Sequence, residues 1–404
     1  MSSFTTLSAA ELRELRRMTG LGPYLGIFYG LPQPGLPRFG HGGDLFRLLT
    51  RLSPGRGLFT FVFTPESLRP PEALCKADRL AGPSTGPSTA PVAGWFHDGR
   101  EWTRALFPWP DVLYDRSIAD TEEENRILAW ARSQFPPDLP VLNSWPLVLA
   151  VEDKWLTNSI FASLAEAQPF LPAMSLCRSM ADIRDMLDRF GAAVLKERYG
   201  HKARRVAFIR REDDRFASVR DTGGRQERAA GLAWPDLAKI LQTHIAGGEF
   251  LVQQAIDRAR FQGRHIELRV VMHKAVDRGL GRDQWLRTGM VCRLTDPDLP
   301  FLALGRELDE RPSRVLPRVF GTARAEALLD QVRSLARLVK VLEDRTGPGA
   351  ELAVDFMIDS EARPWLLEVN TRPAMLLKAT ESEKLRRRGA VRLLEYARSL
   401  VERR

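Results

Sequence analysis

Two apolar segments near the carboxyl end of the chain constrain its fold most, because each has the pattern of a strand and carries polar residues at fixed positions. The first is ELAVDFMID, residues 351–359, and the second is PWLLEVN, residues 364–370. Side chains alternate between the two faces of a strand, so Glu368 and Asn370 point the same way. If the two strands pair, Asp355 lies near them, and the sheet presents a cluster of hard oxygen donors.

This oxygen cluster has two interpretations. Oxygen-rich clusters suit Mg²⁺, which keeps some of its waters and often bridges substrate phosphates. Alternatively, the second segment is an edge strand whose polar residues simply meet solvent. Short motifs match by chance often enough that the pattern taken alone leaves both interpretations open.

Length and residue usage limit the class of protein. A chain of 404 residues indicates two or three domains. No apolar run approaches the roughly 20 residues that span a bilayer, and residues 1–20 have the pattern of a short amphipathic helix without a signal-peptide core. Cys75, Cys177 and Cys292 lack metal-ligand spacing, and the six histidines form no paired motif. We therefore expect no zinc site, no membrane partner and a reducing cytoplasmic location.

The net charge of +9 raises the question of nucleic acid as a partner. Only HKARR (residues 201–205) and KLRRR (residues 384–388) are dense in basic residues, and each is more typical of a solvated face than of a binding patch. The sequence also lacks the aromatic-interleaved basic motif of RNA-binding sheets. A basic balance suits a polyanionic nucleotide or an acidic polypeptide at least as well, so nucleic acid is not the expected partner.

The order of predicted elements indicates an α+β body with two lobes behind an α/β unit. In the first 140 residues we predict strands at 24–30, 57–64 and 110–116 and helices at 42–52 and 121–135, the second of which begins with a capping threonine, Thr121. A low-complexity loop is predicted at 82–91. Beyond them, strands are predicted at 192–200, 204–212, 215–221, 249–256, 264–274 and 285–294, and helices at 181–190, 234–245 and 322–344, the last ended by Gly347.

Several polar residues on these elements have the chemistry of a nucleotide site. Lys154 begins a helix, and Lys196 lies on a strand just before a glycine turn. Gln253 and Gln254 lie on an apolar predicted strand and offer amide groups that suit a purine edge. Arg269 and Arg293 lie on neighbouring predicted strands, from which their guanidinium groups can reach a phosphate. Each residue has an ordinary structural alternative, since lysines are usually exposed and strand arginines usually pair with an acid.

The order Lys, Lys, Gln-Gln, Arg, Arg, Asp, Glu-x-Asn resembles the ATP-grasp superfamily, including its tubulin tyrosine ligase-like branch. The segments FPWPDVLYDR, LNSWPLVLAVEDKW, VLKERYG, LVQQAIDRARFQGRHIELRVVMHK and WLLEVNTRP together resemble the YheC/YheD family of endospore coat-associated proteins. This resemblance covers about residues 24–375. It implies an ATP-grasp fold, with two α+β lobes that grip ATP, preceded by an α/β pre-ATP-grasp domain. The implied domains are residues 1–140, a small lobe with its linker at 141–250, and a C-terminal lobe with the metal site and terminal helix at 251–404.

The resemblance also implies a role for each candidate residue. Lys154 and Lys196 would contact the phosphates of ATP, and Gln253, Gln254 and Ile256 would line the adenine pocket. Mg²⁺ would be held by three residues of the paired strands, Asp355, Glu368 and Asn370. The transferring phosphoryl group and the substrate carboxylate would be bound by three arginines, Arg269, Arg293 and Arg372. The implied reaction is a ligation in which ATP activates a carboxylate as an acyl-phosphate and an amine then attacks it.

Two hypotheses about function follow, because the phosphate loop departs from the family pattern. That loop is usually glycine-rich, whereas YGHKARRV retains only Gly200, and the glycine pair expected after CRL is reduced to Gly305. Glu267 also stands where an aspartate is usual. The first hypothesis is a carboxylate–amine ligase acting on a peptide or a spore-envelope component. The second is a non-catalytic spore-associated scaffold or ATP-binding protein, with spore coat components as partners.

Overall fold

The computed structural model describes residues 22–30, 39, 42–68, 91–119, 121–200, 205–222, 225–277, 282–295, 308–373 and 382–404. Several sequence predictions lie outside these residues. They are the helix of residues 1–20, nearly all of the loop at 82–91, and the HKARR run apart from Arg205. Cys75 and Gly305 also lie outside them.

The first of three sheets is mainly parallel and has the strand order β4-β3-β2-β1-β5-β6. Its strands are β1 (Tyr24–Phe28), β2 (Phe59–Phe63), β3 (Val92–His97), β4 (Trp102–Phe107), β5 (Val112–Asp115) and β6 (Val141–Leu142). β1 runs parallel to β2 and β5, and β6 runs parallel to β5, whereas β3 and β4 form an antiparallel hairpin at one edge. The three strands predicted here are present, but the hairpin was not predicted.

Two helices accompany this sheet, α1 (Gly43–Leu52) and α2 (Glu122–Ser133). The start of α2 follows from its sequence. The Thr121 hydroxyl accepts a hydrogen bond from the Glu124 N–H at 3.1 Å, and the Glu124 carboxylate accepts one from the Thr121 N–H at 3.1 Å. This reciprocal capping box satisfies two N–H groups that a helix start otherwise leaves without partners, so the predicted capping threonine is confirmed.

The second sheet has the order β11-β10-β9-β8-β12-β7, and its neighbouring strands run antiparallel. Its strands are β7 (Met174–Cys177), β8 (Ala192–Glu197), β9 (Ala207–Glu212), β10 (Arg215–Asp221), β11 (Gln226–Leu232) and β12 (Phe250–Gln254). Helices α5 (Met180–Phe190) and α6 (Trp234–Ile245) pack on one face. The predicted boundary between the lobes, at residues 250 and 251, falls inside β12. This strand belongs to the second sheet, in which it pairs with β7 and β8.

The third sheet is built on the long hairpin β14–β15 and has the order β16-β15-β14-β17-β18, with β13 paired to β14. Its strands are β13 (Arg260–Phe261), β14 (Arg264–Asp277), β15 (Arg282–Thr295), β16 (Leu308–Glu310), β17 (Glu351–Ile358) and β18 (Pro364–Asn370). β17 and β18 pair antiparallel, as the two apolar segments predicted. β18 is the last strand on this path, yet Leu366 and Val369 belong to the buried core.

The remaining helices mostly cover the third sheet. They are α3 (Trp145–Glu152), α4 (Lys154–Ala162), α7 (Pro312–Phe320), α8 (Thr322–Ala336), α9 (Val339–Thr346) and α10 (Ser382–Glu402). The prediction of a single helix over residues 322–344 was wrong, because this segment is divided into α8 and α9. At the break, the N–H groups of Arg337 and Leu338 bond to carbonyls three residues back, and this tighter turn interrupts the α-helical ladder. α9 ends at Gly347, as predicted.

The helix α10 packs against the first sheet. Leu393, Leu394 and Ala397 are buried in one cluster with Leu25 and Ile27 of β1. α10 therefore completes the core of the first unit, although the sequence placed it with the C-terminal lobe. Among the helices of the described residues, none has the length and apolar character that crossing a membrane requires.

Candidate functional site

A cleft of about 920 Å³ lies between the second and third sheets. It is lined by every candidate site residue except Arg293, namely Lys154, Lys196, Gln253, Gln254, Ile256, Arg269, Asp355, Glu368, Asn370 and Arg372. The second sheet and the start of α4 supply the lysines and glutamines, and the third sheet supplies the acids and Arg269. A cleft of this size with a few convergent polar groups is typical of a small-molecule site.

The register of β17 and β18 builds the acidic wall of the cleft. Asp355 pairs with Glu368 and Ala353 pairs with Asn370, and a bulge follows Asp355. The Asn370 amide donates to the Asp355 carboxylate at 2.9 Å and to the Glu368 carboxylate at 3.3 Å. The structure thus brings together the three residues proposed for Mg²⁺. Asp359, at the end of the same segment, instead accepts hydrogen bonds from Trp365 and from the turn that joins the strands.

Arg269 completes this wall from the neighbouring strand. Its Nε and Nη2 donate to the two Asp355 carboxylate oxygens at 2.6 and 2.5 Å, a bidentate ion pair in which both side chains are less than a tenth exposed. Burial alone would raise the pKa of Asp355, but the positive charge and hydrogen bonds of Arg269 outweigh burial and hold that pKa below its usual range. Asp355 is therefore ionised and fixed in orientation.

The opposite wall carries the two lysines. Lys154 Nζ donates to the Gly200 carbonyl at 2.8 Å. Lys196 is 8% exposed, and among the described residues no carboxylate lies within ion-pair distance of its Nζ. Burial lowers the pKa of Lys196 to about 8, while the negative charge of Glu368 opposes this shift and the charge of Lys154 adds to it. Glu368 also opposes the burial that lowers the pKa of Lys154, so the two walls interact across the cleft.

The glutamines of β12 differ in their hydrogen bonds. The Gln254 side-chain oxygen accepts from the Ala173 N–H at 3.2 Å, so this side chain supports the adjoining strand. The Gln253 side chain is 2% exposed, and its Nε2 has no hydrogen-bond partner among the described residues. A buried donor without a partner costs free energy, and Gln253 lines the cleft, where a ligand can accept from it. Ile256 adds an apolar surface beside them.

Arg293 and Arg372 are placed differently from each other. Arg372 lines the cleft, donates to Glu152 at 2.9 Å, and has a buried Nε without a partner among the described residues. Arg293 lies opposite Glu267 on the paired strand and is 8% exposed, but it does not line the cleft. Burial raises the pKa of Glu267 and the charges of Arg258 and Arg293 oppose this rise, while the charge of Arg293 adds to that of Arg269 in lowering the pKa of Asp355. Arg293 therefore acts on the acidic wall through its charge, although it does not line the cleft.

Three ion pairs around the cleft were not anticipated from the sequence. Arg258 donates to Glu267 at 3.0 Å, with both side chains 4% exposed. Arg198 forms a bidentate pair with Asp153, the N-cap of α4, and thereby fixes the turn that follows β8. Arg116 of the first unit donates to Glu351 at 2.6 Å and also to the Pro373 carbonyl. The only sequence signal for the first two pairs was a basic residue close to a strand end, since Arg198 directly follows β8 and Arg258 lies two residues before β13.

The donor set of the acidic wall fits Mg²⁺. Mg²⁺ in nucleotide sites takes one or two carboxylates and completes its octahedron with waters and phosphate oxygens. Glu368 contributes a carboxylate that accepts a hydrogen bond from Asn370, and Asn370 contributes its amide oxygen because its NH₂ is directed to the two acids. The Asp355 oxygens already accept from Arg269. No group of three His, Cys, Asp or Glu side chains suited to a metal occurs in the described part of the chain, so phosphates would have to complete the coordination.

Two α+β lobes whose sheets enclose a cleft, with lysines on one wall and a Glu-x-Asn strand on the other, define the ATP-grasp fold. The chain belongs to the YheC/D like ATP-grasp family, whose model matches residues 147–400. Two curated proteins of Bacillus subtilis (strain 168) are similar to it. Endospore coat-associated protein YheD is 23% identical over 87% of this chain and 73% of its own length, and YheC is 20% identical over 82% and 85%.

Solved structures agree on the fold. D-alanyl-alanine synthetase A from Vibrio cholerae superposes with a TM-score of 0.56 at 12% identity, covering 95% of this chain and 99% of its own. The D-cycloserine synthetase DcsG superposes with a TM-score of 0.50 at 15% identity, covering 91% and 98%. At these identities the similarity establishes the α+β ATP-grasp fold predicted from the sequence, and it does not establish a reaction.

Proposed function

We propose that this protein is an ATP- and Mg²⁺-dependent ligase that joins a carboxylate to an amine through an acyl-phosphate. The observation that carries this proposal is the opposition of charge across the cleft. Lys154 and Lys196 lie on one wall, and Glu368 with Asn370 lies on the other, close enough that Glu368 acts on the pKa of both lysines. A polyphosphate bridged by a divalent cation supplies the alternating charges that such walls require.

In the proposed complex each candidate site residue has a defined role. The buried Gln253 amide and Ile256 bind the adenine, while Gln254 keeps β7 in register beside them. The lysines bind the phosphates as point charges. Glu368, Asn370 and Asp355 hold Mg²⁺, which when bound would neutralise charge on the two terminal phosphates. Arg269 orients Asp355 and offers its remaining N–H groups to the transferring phosphoryl group. Arg293 adds positive charge that acts on Asp355.

The proposed reaction proceeds in two balanced steps. A substrate carboxylate oxygen attacks the terminal phosphorus of ATP, and the bond from that phosphorus to ADP breaks. The amine nitrogen then attacks the acyl carbon, the bond to phosphate breaks, and the nitrogen loses a proton to the medium. Arg372, with a buried Nε free of protein partners in the described chain, would bind the substrate carboxylate. The lobes would exclude water, which would otherwise hydrolyse the acyl-phosphate.

The second candidate is an ATP-binding or scaffold protein of the spore that retains the fold without turnover. Its support is the loop after β8, in which Gly200 is the only glycine and its carbonyl already accepts from Lys154. The names of YheC and YheD, which associate those relatives with the endospore coat, favour spore coat components as partners. The two solved neighbours are both named synthetases, which favours the ligase.

Thermal unfolding with and without Mg-ATP tests the proposal. A ligand that binds only the folded protein raises its stability by about 2.7 kcal/mol at a hundredfold excess over Kd. We expect a magnesium-dependent rise in Tm for the wild type. Glu368→Gln should abolish this rise, because it removes a carboxylate that is proposed to hold Mg²⁺. The matched control is Glu326→Gln on the exposed face of α8, which keeps the full rise.

The outcomes separate the two candidates. No rise at millimolar Mg-ATP contradicts nucleotide binding and with it the ligase. A rise that depends on Glu368, followed by ADP release when carboxylates and amines are supplied in pairs, supports the ligase. A rise without ADP release from any pair favours the ATP-binding protein.

A further inference from the structure

Three arginines meet at a strand bulge far from the cleft, and we call Arg287, Arg388 and Arg392 the arginine patch. β15 bulges at Thr288, because Arg287 pairs with Met272 while Gly289 pairs with Val271. The other two arginines are one turn apart on α10. Arg287 and Arg293 are six positions apart on β15, a distance of roughly 20 Å along a strand.

The bulge anchors the two arginines of α10. Arg392 Nη1 donates to the carbonyls of Leu286 and Arg287 at 3.2 and 3.0 Å and to the Thr288 hydroxyl at 2.8 Å. Arg388 Nη1 donates to the Thr288 carbonyl at 3.4 Å. These bonds use one nitrogen of each guanidinium group. The remaining N–H groups are held in a fixed position, so little side-chain entropy remains to be lost when they bind an anion.

The patch concentrates positive charge without local neutralisation. Within the described residues, no carboxylate forms an ion pair with Arg287, Arg388 or Arg392. Burial, followed by the charges of Arg333 and Arg388, lowers the pKa of Arg287, and burial with the charge of Arg388 lowers that of Arg392. Asp330 pairs with Arg333, and the charge of Glu395 only partly opposes the lowering of the pKa of Arg392.

Like charges held together destabilise the folded state, and an anionic partner removes that cost by neutralising them. Two observations indicate which anion. Leu286 stands beside the patch with 40% of its surface exposed, and an apolar side chain there suits a polypeptide better than a phosphate backbone. Trp285, the neighbouring aromatic residue, is 8% exposed and donates to Glu343, so it offers no stacking surface to a nucleobase.

We propose that the arginine patch is a docking surface for an acidic polypeptide segment, with its carboxylates bound by the guanidinium groups of Arg287, Arg388 and Arg392. The surface is separate from the cleft and does not depend on the proposed reaction. It assigns a role to Arg388, the last residue of the basic run at 384–388, beyond that of a solvated face.

Fluorescence anisotropy with a labelled deca-glutamate peptide tests this surface in the full chain. We expect binding at low salt that weakens at physiological ionic strength, where the Debye length is about 8 Å. The triple variant Arg287→Gln, Arg388→Gln, Arg392→Gln keeps hydrogen-bond donors at the bulge, and we expect it to weaken binding by about tenfold or more. The control triple, Arg126→Gln, Arg178→Gln, Arg318→Gln, removes the same net charge from exposed arginines elsewhere and changes Kd by less than about twofold.

The single variant Arg287→Gln covers the case in which the triple variant folds poorly, since the Arg287 side chain makes no hydrogen bond within the described residues. It should weaken binding by about threefold. A retained Mg-ATP rise in Tm for these variants separates this surface from the cleft. Equal weakening in the patch and control triples overturns the proposal. So does tighter binding of a duplex DNA of equal charge that displaces the peptide, which would make the surface one for nucleic acid.

Discussion

The two walls of the cleft differ in how their polar groups are satisfied. On the third sheet, Arg269, Asp355, Asn370 and Glu368 bond to one another through distances of 2.5 to 3.3 Å. On the second sheet, the buried Lys196 and the Nε2 of Gln253 have no such partners among the described residues. One wall is therefore organised by the protein alone, whereas the other carries groups whose burial only a ligand would offset.

This difference separates stability from binding. Removing a member of the self-satisfied wall leaves its partner buried and unpaired, so it should destabilise the fold. Removing a group from the unsatisfied wall relieves a desolvation cost, so it should leave the fold as stable or more so while ligand binding falls. The same kind of substitution is expected to have opposite effects on the two sides of one cleft.

The largest effect is expected for Asp355→Ala. It leaves the Arg269 guanidinium, 8% exposed, without its bidentate partner, and we expect the free energy of unfolding to fall by about 3–5 kcal/mol. Urea denaturation measures this change. The control Asp344→Ala breaks an exposed pair with Lys340 on α9 and should cost about 1 kcal/mol or less. Similar losses for the two variants would contradict the picture of a wall organised by the protein.

Lys196→Met is expected to act in the opposite direction. The methionine keeps the volume and removes a charge that the fold buries without a carboxylate partner, so the free energy of unfolding at pH 7 should rise by about 1–3 kcal/mol. The same denaturation series measures it, and the Mg-ATP rise in Tm should disappear. A loss of stability in the absence of ligand would indicate that Lys196 has a stabilising partner and that the two walls are alike.

The stability difference between wild type and Lys196→Met should depend on pH. Burial lowers the folded-state pKa of Lys196 to about 8, below the value near 10.4 of an unfolded chain. Between these two values the unfolded chain binds a proton that the folded chain lacks, so wild-type stability rises with pH relative to the variant. Unfolding free energies at pH 7, 8, 9 and 10 should show a constant gap below pH 8 that narrows above it. A gap that widens above pH 8 would contradict the lowered pKa assigned to Lys196 in the folded protein.

The smallest effect is expected for Gln253→Leu. The free energy of unfolding should change by less than about 1 kcal/mol, because the substituted amide N–H had no protein partner to lose. ATP affinity, measured by calorimetry, should fall by about three- to tenfold, the equivalent of one neutral hydrogen bond. Gln254→Leu is the matched control, since it removes the acceptor of the Ala173 N–H and should lower stability more than affinity. If Gln253→Leu lowers stability and Gln254→Leu lowers ATP affinity instead, the roles of the two glutamines are exchanged.

Prediction from the sequence succeeded where the signal was local. The capping pattern at Thr121, the end of α9 at Gly347 and the alternation in β18 all depend on residues within one element. The hairpin β3–β4 was missed although its connection contains Asp98-Gly99, a pair typical of hairpin turns, so here a local signal was overlooked. Prediction failed for a different reason at the break between α8 and α9, which depends on packing, because residues on both sides of it lie in the same core.

The candidate site divides in the same way. Residue types and spacing were sufficient to nominate Lys196, Gln253 and Glu368, because each lies on a strand whose pattern is readable by itself. The sequence could not show that Asp355 is held by Arg269, 86 positions away, or that Arg293 lies opposite Glu267 and outside the lining of the cleft. Such pairings follow from strand register, which the long-range order of the sheet sets.

The sequence by itself determined most of the elements and the chemistry available on each strand, because hydrophobic period and residue type act locally. The ATP-grasp class was indicated by the resemblance of its motifs to that superfamily. Only the tertiary structure decided which groups satisfy one another. It gave Asp355 a bidentate partner, left Lys196 and Gln253 without one in the described chain, and placed α10 in the core of the first unit. The physical reason is that burial and pairing depend on neighbours brought together by folding, and these neighbours set whether a polar group stabilises the fold or awaits a ligand.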